Sequence, residues 1–150
     1  MINKFLKILI FAILILNSVS VYGINYTWDG SSSTAWNIAA NWTPSGVPDS
    51  TSNVTIVSVA NNPILSQNTK VANFTISNGT LDLNTFQLTI AGLTCNFSGG
   101  VIQNGLVNIS NRTTSFLGTT FNCRLNVFTG QFSLSGGIFE LPVMIQDCLF

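Results

Sequence analysis

The chain contains no histidine. That removes the commonest general base and the commonest protein metal ligand, and with them every Ser-His-Asp or Cys-His nucleophilic arrangement. Charge is nearly as scarce: Lys, Arg, Asp and Glu together make up 7% of the 150 residues. Beyond residue 23 the charges are Lys70, Arg112 and Arg124 against Asp29, Asp49, Asp82, Glu140 and Asp147, three minus five, a net of −2. There is no basic patch to neutralise phosphates, which argues against nucleic acid as a partner. Nor is there a polybasic stretch for an anionic membrane. Scarce charge does not mean disorder, because Phe, Leu, Ile and Val are abundant and disordered chains lack them. Asn, Thr, Ser and Gly carry the polarity instead.

An uninterrupted membrane-length apolar run, roughly 20 residues, is also missing. The run Ile8–Leu16 is nine residues long. It follows Lys4 and Lys7 and leads into Asn17, Ser18, Val19 and Ser20, with Val21 and Gly23 at −3 and −1 of a cleavage point before Ile24. A basic start, a short apolar middle and a small-residue exit form the secretory pattern. Residues 1–23 are therefore predicted to be a signal peptide. The mature chain is expected to be secreted or at the cell surface by the general secretory route, with no transmembrane segment. Three cysteines, Cys95, Cys123 and Cys148, are separated by 28 and 25 residues and match no zinc or redox motif. They read as buried small apolar side chains, and an oxidising compartment permits one disulfide. No metal and no cofactor is expected.

Helical periodicity is absent after residue 23. Apolar residues alternate instead: Val54 and Ile56; Phe74 and Ile76; Leu81 and Leu83; Phe86, Leu88 and Ile90; Val107 and Ile109; Leu125 and Val127; Phe132 and Leu134; Phe139 and Leu141. Period two is the strand signature. Glycine turns recur at Gly79, Gly100, Gly118 and Gly136, separated by 21, 18 and 18 residues, each soon followed by a bulky apolar residue. Self-similarity near 20 residues predicts an all-β fold, a right-handed parallel β-helix or solenoid, with strands 73–76, 81–83 and 87–90 in one coil. An antiparallel β-sandwich is the alternative, since it too shows short alternating strands. The predicted organisation is a signal peptide over 1–23, a Trp-rich cap segment with the first strand over 24–60, and irregular coils of about 18–21 residues over 61–150. No polar cap follows Phe150, so the coil array reads as incomplete, with further repeats of a longer parent protein expected beyond it.

All three tryptophans fall in one segment: Trp28-Asp29-Gly30, Trp36 and Asn41-Trp42, followed by Pro48 and Val54-Thr55-Ile56. This order resembles the segment that opens β-solenoid regions in bacterial surface proteins, as in autotransporter-type passengers and large secreted adhesin-like proteins of the Bacteroidetes. The later words Thr120-Phe121-Asn122 and Ser135-Gly136-Gly137 are similar to repeats in those proteins. The resemblance implies a non-enzymatic, structural display protein. Its implied partners are surface glycans or surface proteins of a host or neighbouring cell.

Read from the residues, Trp28, Trp36 and Trp42 have two uses. They can close the first coil, or they can form a stacking platform for sugars, which makes a carbohydrate-binding module the alternative function. A third reading, a β-helix polysaccharide-degrading enzyme fragment, needs paired carboxylates. Asp82 and Glu140 each sit between inward apolar residues and so point outward, and nothing in the sequence pairs them. No catalytic residue is assigned. Asp29 and Asp49 flank the tryptophans, but the Gly-rich acidic pattern of calcium-binding β-rolls is absent. Eight Asn-x-Ser/Thr sequons occur, at Asn25, Asn41, Asn53, Asn73, Asn78, Asn96, Asn108 and Asn111.

Overall fold

The computed structural model describes residues 23–111 and 113–149. The segment read as a signal peptide lies, up to Tyr22, outside the described residues. In chain order the strands are β1 (Asn25–Trp28), β2 (Trp42–Thr43), β3 (Asn53–Ile56), β4 (Thr69–Val71), β5 (Asn73–Ile76), β6 (Thr80–Asp82) and β7 (Gln87–Ile90). Then come β8 (Thr94–Phe97), β9 (Val101–Ile109), β10 (Thr113–Phe116), β11 (Thr120–Leu134), β12 (Ile138–Phe139) and β13 (Val143–Leu149). A single 3-10 turn, Ala39–Asn41, precedes β2. There is no α-helix among the described residues.

The strands stack in three parallel columns, and the chain visits each column once per turn. Column one runs β1, β3, β5, β8, β10 and the end of β11. Column two runs β6, the start of β9, the start of β11, and β12, with Ala35 and Ile64 bridged below it. Column three runs β4, β7, the end of β9, the middle of β11, and β13. The fold is a parallel β-solenoid of about five turns. The sandwich alternative falls, because every strand pairing is parallel except β2 against β1.

Alternation sets the register. In column one, Val54, Phe74, Cys95, Thr114 and Phe132 align inward, as do Ile56, Ile76, Phe97, Phe116 and Leu134. Column three aligns Val71, Ile90, Ile109, Val127 and Ile145. Column two contributes Leu81, Ile102, Phe121 and Phe139. One coil cannot bury its inner face alone, so stacking makes a single core, each large side chain contributing roughly 1.5–3 kcal/mol. Like residues stack on like: Phe97 lies on Phe116 with ring centroids 5.3 Å apart and planes within 9°.

The repeating glycine sits one residue away from its expected place in two coils. The aligned row is Gly79, Gly100, Thr119 and Gly137, because Thr120 pairs with Val101 and with Ile138. Gly79, Gly100 and Gly137 have positive φ. A Cβ on Gly100 would lie 2.6 Å from the Gly79 carbonyl oxygen, so the coils approach too closely there for a side chain. Thr119 is accommodated by donating its hydroxyl to the Gly99 carbonyl at 2.7 Å. Gly118 and Gly136, picked out by spacing, are neighbours of this row.

Candidate functional sites: the tryptophan cap and a stepped corner

The tryptophan segment closes the first coil. Trp28, Trp36 and Trp42 are 0%, 3% and 2% exposed. Trp42 packs edge-on against both others, at 4.9 Å from Trp28 and 4.6 Å from Trp36. No ring face is offered to solvent, so these three residues do not provide a platform on which a sugar can stack. They bury apolar area at the edge where β1 would otherwise be open, and β2 covers that edge with two antiparallel residues.

Asn41 organises this cap, a role that sequence reading missed. It is fully buried. Its Oδ1 accepts the backbone N–H groups of Ser32 and Ser33, at 2.9 and 2.7 Å. Its Nδ2 donates to Ser33 Oγ and the Ala35 carbonyl. Its own carbonyl accepts from the N–H groups of Asp29 and Gly30. The spacing Trp-Asp-Gly to Asn-Trp is thus a hydrogen-bonding motif. Trp28 Nε1 donates to the Asn61 carbonyl, and Asn61 returns a bond to the Gly30 carbonyl, tying the cap to the next turn. Trp42 Nε1 donates to the Trp36 carbonyl, whereas the buried Trp36 Nε1 has no partner among the described residues.

The two flanking carboxylates serve as turn acceptors. Asp29 accepts from the Thr43 hydroxyl at 2.6 Å and the Ser31 N–H at 2.9 Å, which holds its carboxyl below the usual value. Asp49 is lowered in the same way by the hydroxyl and N–H of Thr51 and the hydroxyl of Ser52.

Asp82 and Glu140 lie on the same outward row of column two. Asp82 pairs with Gln103, Gln103 with Asn122, and Glu140 follows the Phe121–Phe139 pair. They are three rungs apart. At about 4.8 Å per rung the backbones are roughly 14 Å apart, beyond the ~5–9.5 Å used by glycosidase carboxylate pairs. Cys95 and Cys123 are free and buried inside the coils. Burial pushes the Cys95 thiol well above its usual value and Cys123 up to about 12. Both are thiols held away from nucleophilic chemistry.

The sequons follow from the strand pattern. Asn25, Asn53, Asn73, Asn96 and Asn108 stand on strands as outward Asn, inward apolar residue, outward Thr or Ser. Asn73 donates to Asn53, and Asn53 to Asn25, each at 2.6 Å, forming an amide ladder. Asn41 and Asn111 are buried. Asn78 sits on an exposed turn.

A second feature lies at the corner between columns two and three. Four residues, 83–86, separate Asp82 from Gln87; two, 104–105, separate Gln103 from Leu106; one, 123, separates Asn122 from Arg124. The corner therefore steps inward from coil to coil. The step leaves a groove of about 470 Å³ lined by Asp82, Asn84, Thr85, Asn104, Gly105 and Arg124. Gly105 is required at the step, since a Cβ would meet the Phe86 carbonyl oxygen at 2.4 Å. Asn84, Thr85 and Asn104 all have left-handed backbones, at φ 46°, 71° and 62°, and are the non-glycine residues with positive φ among those described. For a β-branched threonine this is a strained conformation, of order 1–3 kcal/mol.

At the far end of the array apolar side chains reach the surface among the described residues. Leu134, Ile138, Leu141, Val143, Met144 and Ile145 are exposed. An apolar cavity of about 160 Å³ opens among Phe116, Leu125, Val127, Phe132, Leu134, Phe139, Val143 and Ile145.

The model of a family described as a domain of unknown function (DUF8693) matches residues 27–117, from β1 to the turn after β10. No curated protein and no solved structure matches the chain.

Proposed function

The chain belongs to the DUF8693 family, whose description carries no activity, and from its geometry we propose a non-enzymatic β-solenoid segment, secreted or displayed at the cell surface in the manner of an adhesin. The observation that carries this reading is the division of the coil into a continuous hydrocarbon interior and outward rows of amides and hydroxyls. Thr27, Thr55, Thr75, Asn96, Ser115 and Ser133 form one such row in column one. In column three, Thr89, Asn108 and Asn126 form another, with Asn126 donating to Asn108 at 2.9 Å. Rows held in register by the backbone offer a partner a stiff surface whose side chains are already ordered, which lowers the entropy cost of contact. Surface glycans and surface proteins of a host or neighbouring cell suit such a face.

The exposed apolar coil at the far end supports one further partner. A parallel coil of the same period, from further repeats of a longer parent protein, would cover Val143 and Ile145 and pair the free edge of β13. Export rests on Lys4, Lys7 and Ile8–Leu16.

Expression from Met1 in a secreting host, followed by N-terminal sequencing and a glycan and polysaccharide screen of the exported chain, tests this reading. The expected result is a new N-terminus between about residues 20 and 24 and no turnover of polysaccharide. Retention with Met1 intact, or release of reducing ends from any polysaccharide, would contradict it.

A further inference from the structure

We propose that the stepped corner groove is a binding site for an acidic saccharide, its carboxylate on Arg124 and its hydroxyls on the side chains of Asn84, Thr85 and Asn104. The site is independent of the tryptophans and goes beyond display by the outward rows. Three observations meet in it. The first is the step itself, which turns a flat solenoid corner into a concavity. The second is that the non-glycine left-handed residues of the described chain all line it. The two asparagines take this region readily, but Thr85 is strained in it, and among the described residues that strain occurs in this concavity alone, which marks a conformation held for something other than packing.

The third is the chemistry left over after internal bonds are made. Asp82 is largely satisfied: Oδ2 accepts from Gln103 at 3.1 Å and Asn104 at 2.9 Å, and Oδ1 accepts from the Asn84 N–H at 2.7 Å. It orders the two asparagines and has little capacity left for a cation. Asn84 Nδ2 donates one N–H to the Leu65 carbonyl and Asn104 Nδ2 one to Asp82, which leaves on each amide the Oδ1 acceptor and a second N–H donor for a ligand. Arg124 is exposed, and its guanidinium makes no hydrogen bond or ion pair among the described residues. The groove thus presents one guanidinium fork and a set of neutral amide and hydroxyl groups that accept and donate, with no aromatic or aliphatic side chain in its lining.

Each property narrows the ligand. A guanidinium fork pairs two-pronged with a carboxylate. Amide and hydroxyl groups that both accept and donate are matched by sugar hydroxyls, which do the same. A single cation beside a carboxylate disfavours multiply charged anions such as phosphate. Absence of an apolar wall disfavours a flat hydrophobic ligand. A monoanionic, hydroxyl-rich unit, which is a uronic acid within a saccharide, meets all four.

The test is an NMR titration of the mature chain with a glucuronic acid oligosaccharide, its methyl ester and sodium acetate. The acid should shift the Arg124 guanidinium and the Asn84 and Asn104 side-chain amides to saturation. The ester and acetate should each bind at least about tenfold more weakly. Arg124→Gln, an exposed position, should lower affinity for the acid about tenfold, and Lys70→Gln, the same charge change elsewhere on the solenoid, should leave it unchanged. Asn104→Gly keeps the left-handed backbone and removes the amide, and should weaken binding about threefold. No saturable shift with the acid, equal binding of the ester, equal binding of acetate, or an equal loss in Lys70→Gln would each overturn the proposal.

Discussion

The two ends of this solenoid differ among the described residues: a folded segment covers the first rung, whereas the last coil presents exposed apolar side chains. At the start, the segment 29–52 between β1 and β3 folds over the first rung and brings three indoles together, with Asn41 bonding the backbone of Ser32, Ser33 and Ala35. At the far end, Leu134, Val143 and Ile145 repeat the inward phase of earlier coils but are exposed among the described residues. Alternation alone builds an interior of any length. Ending it takes residues that break the alternation, and tryptophan, buried asparagine and short turns do this because they supply area and hydrogen bonds where no neighbouring coil exists.

The largest effect that separates the two ends lies within a single row. Ile90 and Ile145 occupy equivalent positions in column three, 0% and 44% exposed. Ile90→Asp should remove cooperative folding, since an unpaired buried carboxylate costs several kcal/mol. Ile145→Asp should stay within about 1 kcal/mol in urea denaturation followed by circular dichroism. An equal loss at both positions would mean that the far end is covered in solution.

A smaller effect tests the cap alone. Asn41→Ala strands the N–H groups of Ser32 and Ser33 and should cost about 2–4 kcal/mol. Asn78→Ala, on an exposed turn, should cost within about 0.5 kcal/mol in the same assay. Smaller again is the difference between two tryptophans of equal burial. Trp42→Phe loses a bond to the Trp36 carbonyl, whereas Trp36→Phe removes an N–H that has no partner among the described residues. Trp42→Phe should be the more destabilising by about 1 kcal/mol.

Acid should give the mildest contrast. Asp29 and Asp49 both lie in the capped end, and both have lowered pKa values. A depressed carboxyl stabilises the fold above the ordinary aspartate value of 3.8, and that contribution fades as pH falls through the lower folded value. Protection of the amides in residues 24–52, taken relative to the intrinsic exchange rate at each pH, should therefore fall below about pH 4 before protection in the middle coils does. Uniform loosening along the chain would contradict this.

Much of the interior was legible in the sequence because period-two alternation has a single physical cause. The expected strands 73–76, 81–83 and 87–90 fall on β5, β6 and β7 within one residue. The inward phase of Leu81, Leu88, Ile90, Val107 and Ile109 follows the same rule. Spacing of glycines misplaced two rungs, since a hydrogen-bonded threonine can occupy the tight position that glycine fills elsewhere. The corner groove was not legible: it arises from a difference in loop length between coils, four residues, then two, then one, and from a left-handed Thr85 that no propensity anticipates. Asn41 hid among the sequons, because its burial depends on which turns fold over it. The sequon excess itself has a structural origin, since outward Asn, inward apolar and outward Thr is what a rung with amide and hydroxyl outer rows looks like.

The most direct test of the stacked-coil architecture is removal of one whole turn. Thr94 and Thr113 are register partners, so deleting residues 94–112 joins Leu93 to Thr113 and brings β5, β6 and β7 against β10 and β11 with every inward phase kept. Because each coil touches only its neighbours, the shortened chain should unfold in a single cooperative transition with a β-type circular dichroism spectrum and a smaller denaturant slope. A deletion product without a cooperative transition, made alongside an intact chain that has one, would contradict the solenoid account.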